Sequence, residues 1–179
     1  MMSKIIDIMF EMIDIAPRMF GTELTMSMRE KVAWIAVITS VMIFGWYFWS
    51  VWTEFSARQL DGDVLFWRFL WCFGIAVVIM LPAAMIAARL GGQAFDPPAD
   101  EMEVRIEAIS NRFGLALLEV LLVAIVLASK WITEIARADF ALDPVGATAI
   151  MLINLILFVS AFAAVVREII VIVQYRMYA

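Results

Sequence analysis

Glu119 and Arg167 are the two charges set within long apolar runs, and any chemistry this chain performs would start from them. Glu119 interrupts the run Phe113–Ile132, and Arg167 falls between Ala147–Val166 and Ile169–Val173. A carboxylate in hydrocarbon finds a counter-charge, stays protonated, or destabilises the fold by several kcal/mol. At about 1.5 Å per residue Glu119 sits about 9 Å above Phe113, with Arg167 at a similar depth if its helix reaches Val173. The pattern predicts a buried Glu119–Arg167 ion pair between antiparallel helices, with Ser160 close by and Asn154 as a further intramembrane polar group. Such a pair either fixes helix register or makes Glu119 the titrating group of a proton or ion relay. The structural reading is preferred, because a relay needs polar groups on both sides of the midplane. Asn154, Thr39 and Ser40 are few for that purpose.

The composition offers little else for catalysis. Of 179 residues 65% are hydrophobic and 17% charged, so part of the solvent must be lipid. There is no His and one cysteine, Cys72. That removes imidazole ligation of haem or zinc, Ser-His and Cys-His nucleophiles, and any intrachain disulfide. The expectation is a non-enzyme with no cofactor and no metal site. A net charge of -5 argues against nucleic acid as a partner.

The elements that must position these residues read as helices throughout. Residues 2–20 carry Ile5, Ile8, Met9, Met12 and Ile15 opposite Asp7, Glu11 and Asp14, which predicts an amphipathic interfacial helix too short to span. Four transmembrane helices are expected over 32–52, 64–88, 113–132 and 147–173. Ser27 with Glu30 fits a capping box before the first, and Asp63 is the expected N-cap of the second. The fold class is all-α: a polytopic membrane protein, one domain over 1–179, with an antiparallel bundle of four spans.

Residues 89–112 form a loop with a helical extension, so that Asp100–Arg137 runs as one helix about 57 Å long. Asp100 and Glu103 have the spacing of a second capping box. A solvated face accounts for most of the charge there. The same residues, Asp100, Glu101, Glu103, Arg105 and Glu107, are the candidate cytoplasmic interaction surface.

Nine of the thirteen Lys and Arg residues fall on the side of the two termini, which places both termini in the cytoplasm. Six of the seven Trp then lie toward the outer interface, leaving Trp34 on the inner side. Two stretches, Met28-Arg29-Glu30-Lys31-Val32-Ala33-Trp34 and Asp100-Glu101 with Arg105-Ile106 and Arg112-Phe113-Gly114, resemble a group of small bacterial four-helix membrane proteins. That group pairs an R-E-K-x-A-W-like lead-in with an acidic D-E-R-D-x-x-I-like helix start. Here Met102 and Glu103 stand where the pattern favours Arg and Asp. The resemblance implies a bacterial inner-membrane location and four spans, and it brings no activity with it.

The expected role is an accessory, assembly or regulatory subunit working through protein–protein contacts, its partners being the bilayer and another membrane protein or further copies of itself. A small oligomeric transporter or channel using Glu119 is the alternative. A lipid or quinone bound among the outer aromatics is a third reading.

Overall fold

A computed structural model describes residues 28–90 and 100–178, and among these every regular element is a helix. The elements are α1 (Met28–Ser56), α2 (Gly62–Leu90), α3 (Glu101–Asp139) and α4 (Pro144–Tyr178). All four are long and apolar enough to cross a membrane, so the chain is a multi-pass membrane protein. The 2–20 segment, the Ser27 cap and most of the 89–99 connection lie outside the described residues.

The helix starts follow from local hydrogen-bonding chemistry. Asp100 Oδ1 accepts from the Glu103 amide at 2.6 Å while Glu103 Oε2 accepts from the Asp100 amide, giving the expected capping box. The cap of α2 is Asp61, and Asp63 does not fill that place. Asp61 Oδ1 accepts from the amides of Asp63 and Val64 at 3.0 and 3.2 Å, because the helix starts two residues earlier than its apolar pattern. Asp143 caps α4 by accepting from the Gly146 amide at 2.9 Å, and Pro144 occupies the first helical position. A β-carbon at Gly146 would run into the Asp143 carboxylate.

Packing proceeds in the order α2–α1–α4–α3, with neighbours antiparallel. The substantial interfaces are α2–α1, α1–α4 and α4–α3, and α2 and α3 share none of comparable size, so the described helices are joined as a row with α1 and α4 at its centre and closure into the expected bundle is not shown. Opposite-charge spacing and apolar faces set which surfaces can pack, but they do not say whether a fourth helix closes a ring. At the end of the row with the helix-connecting turns, Ala136, Phe140 and Ala147 are buried and Phe55, Leu60 and Met151 pack on them. Arg58, in the left-handed region at φ 56°, directs the α1–α2 turn toward α3 and pairs with Asp139 at 2.8 Å. Large apolar side chains such as Trp49, Trp71, Val78 and Val126 point outward, as a lipid solvent requires.

At Gly114 α3 approaches α4 closely enough that a β-carbon would lie 3.1 Å from Arg167 Cβ. Gly45 in α1 meets nothing within 4 Å. Gly114→Val should therefore lower the unfolding free energy by roughly 1–3 kcal/mol through overpacking, while Gly45→Val leaves it nearly unchanged. Reversible unfolding of both variants in bicelles measures the difference.

Candidate functional site

The described polar side chains gather at three places. The first is in the half nearer the turns. Tyr47, buried in α1, donates its hydroxyl to Asn154 Oδ1 at 2.6 Å, and Asn154 Nδ2 donates to the Ile150 carbonyl at 2.9 Å. One turn further out Arg68 pairs with Glu54 and donates to Ser50 Oγ at 3.1 Å. Glu54 and Arg68 stand seven residues either side of Asp61, so a helical hairpin brings them face to face. Glu54 Oε2 is buried and accepts no hydrogen bond.

The second place is a cleft of about 600 Å³ at the end that carries Arg29 and Tyr175. All four helices line it, α1 through Arg29–Ala36, α2 through Met80–Ala84, α3 through Glu103–Glu107 and α4 through Arg167–Tyr175. Arg29 lies 3.4 Å from Glu103 and 2.8 Å from Glu107, tying α1 to α3. Tyr175 donates to Glu103 Oε1 at 3.2 Å, and Arg176 pairs with the buried Glu30 at 2.8 Å, which tie α4 into the same end. Arg167 pairs with Glu168 and donates to Asn111 Oδ1 at 3.1 Å. Ala36, Met80, Leu81 and Ala84 give the cleft an apolar wall. Each acid and each arginine named here has an oppositely charged partner, with Arg29 serving both Glu103 and Glu107, so the cleft is bordered mainly by ties between helices. Among the described residues no group of His, Cys, Asp and Glu could hold a metal ion.

Glu119 is the third place, and it stands apart. The sequence placed it against Arg167, but the two are not brought together. The Gly114 contact sets the depth of Arg167, and Glu119 lies five residues further, about 7.5 Å along the axis and about 140° round the helix. Arg167 instead takes the acid next to it in the chain. Ser160 also departs from its expected role: it is exposed, and its hydroxyl donates to the Ile156 carbonyl. Asn154 is buried and bonded to Tyr47.

The expected interaction surface divides in the same way. Asp100 and Glu103 are used in the cap, while Glu103 and Glu107 face Arg29. Glu101 and Arg105 remain exposed. Measured from Gly114 at about 100° per residue, Glu103, Glu107 and Asp139 lie within about 20° of the α4-facing line. Glu101, Arg105, Arg112, Glu119, Lys130, Glu134 and Arg137 lie within about 40° of the opposite pole. All seven are exposed, and none makes an ion pair or side-chain hydrogen bond among the described residues. This stripe was readable as a helical wheel, whereas reading by depth alone hid it. Arg29, Glu54, Arg68 and Tyr47 were missed because their partners lie on other helices; the symmetry of Glu54 and Arg68 about the turn was the available signal.

Comparison with protein-family models, curated proteins and solved structures finds no match for this chain.

Tyr47→Phe leaves Asn154 Oδ1 without its donor and should lower stability by about 1 kcal/mol, the usual scale for hydrogen bonds inside membranes. In an Asn154→Leu background the same substitution should have little effect. A double-mutant cycle read by steric trapping tests the coupling.

Proposed function

We propose that this chain is a non-enzymatic multi-pass protein of a bacterial inner membrane, acting as an accessory, assembly or regulatory subunit through contacts made within the bilayer. The single observation that carries the reading is Glu119, which is exposed near the middle of the apolar part of α3 with no counter-charge among the described residues. A carboxylate left in lipid is destabilising by several kcal/mol or is held protonated. A surface that presents one is better explained by a protein neighbour than by lipid. The open row supports the same view, since α2 and α3 each leave most of their circumference uncovered. The bias of nine basic residues to the side of the termini supports cytoplasmic termini, and the REKVAW lead-in supports a bacterial origin.

A transport reading is favoured by a different observation. Polar groups occur on both sides of the midplane, with Tyr47, Asn154, Glu54 and Arg68 on one, the Arg29 and Arg167 cleft on the other, and buried Thr39 between them. Transport ranks second because each of these ionised groups already has a partner of opposite charge.

Extraction of native membranes in mild detergent should yield the chain in a particle distinctly larger than its own 20.2 kDa plus detergent. Light scattering that finds only monomer would overturn the subunit reading. Proteoliposomes holding the chain alone should show no proton flux above protein-free vesicles in a pH-dye assay, and a clear flux would promote transport to first place.

A further inference from the structure

The α3 stripe also indicates what kind of neighbour Glu119 takes. From Arg112 to Lys130, a rise of about 27 Å and so close to a hydrocarbon core, Glu119 is the only charged residue. It lies about 10 Å in from Arg112 and so about 3 Å from the midpoint. A short carboxylate side chain at that depth cannot reach either headgroup layer. Ala116, exposed one turn before it on the same face, leaves room for a neighbouring helix, and Val123, exposed one turn after it, offers that helix an apolar contact.

We propose that the Glu119 face of α3 docks a transmembrane helix of a different polypeptide, one that carries a single Lys or Arg near the bilayer midplane. This rests on the subunit reading above and names its partner's chemistry. Charge complementarity selects the occupant. A second copy related by an axis along the membrane normal would set Glu119 against Glu119 and Arg112 against Arg112, like against like. A seven-residue stagger that matched Arg112 with Glu119 would offset the two copies by about 10 Å along the normal. No other described helix presents an uncommitted cation at this depth. The nearest, Arg167, is about 7.5 Å away along the normal and is bonded to Glu168 and Asn111.

The test uses the full chain, labelled with a donor fluorophore at its C-terminus, in phosphatidylcholine vesicles. Acceptor-labelled leucine–alanine transmembrane peptides are added, identical but for Lys, Leu or Glu at the central position. The Lys peptide should associate roughly tenfold more tightly than the Leu peptide, and the Glu peptide no more tightly than Leu. Glu119→Gln, an exposed near-isostere, should bring the Lys and Leu peptides together, while Glu134→Gln on the same stripe outside the core should keep them apart. Equal association of the Lys and Leu peptides with the unaltered chain would overturn the proposal. So would a Lys preference that survives Glu119→Gln. Energy transfer between two labelled copies that is lost in Glu119→Gln would also overturn it, by making the occupant a second copy. A chain that is part of a large native particle yet ignores the Lys peptide removes this inference alone; a chain that is monomeric in its native membrane removes the subunit reading.

Discussion

The expense of holding charge in hydrocarbon orders this structure more than any single contact does. In water an exposed ion pair contributes little, and its loss is hardly felt. Inside a bilayer each ionised group needs a partner, a route to the surface, or a proton. The described helices meet that demand almost everywhere. Within the Arg112–Lys130 depth Arg167 meets Glu168 and Asn111, and toward the two margins Glu54 meets Arg68, Arg29 meets Glu103 and Glu107, and Glu30 meets Arg176. The marginal ties join α1 to α2, α1 to α3 and α1 to α4, so the paired charges also hold the helices in register. Glu119 is the exception, and the rule gives the exception its meaning.

Much of the fold was legible because lipid imposes long, uniform elements. Apolar run length predicted four helices, and the Asp100/Glu103 spacing predicted the start of α3 with its capping box. Local signals stopped where two helices had to be placed side by side. Nothing in the spacing of Glu103 and Glu107 says that Arg29, more than seventy residues earlier, will lie across from them. Depth alone set Glu119 against Arg167, but a helix has a circumference as well as a length, and their azimuths differ. The Asp61 cap was passed over for a similar reason. Asp61 and Asp63 both suit the turn, and the backbone path, bent by the left-handed Arg58, decided between them.

The two halves of the row are built differently. Toward the turns the interior is tied by neutral hydrogen bonds and aromatic contacts, with Tyr47 edge-on to Phe48 and Phe69 and bonded to Asn154, and the Glu54–Arg68 and Arg58–Asp139 pairs lie beyond them nearer the turns. Toward the termini it is tied by ion pairs around an open cleft.

A ring of helices has no ends, but a row has two, much as an open sheet has two edge strands. The ends of this row are chemically unlike. The α2 margin shows Trp67, Trp71, Val78 and Leu81, and shape alone decides what fits against it. The α3 margin adds a line of charge. An assembly extended from this chain would thus grow with a direction, since whatever satisfies one margin is unsuited to the other.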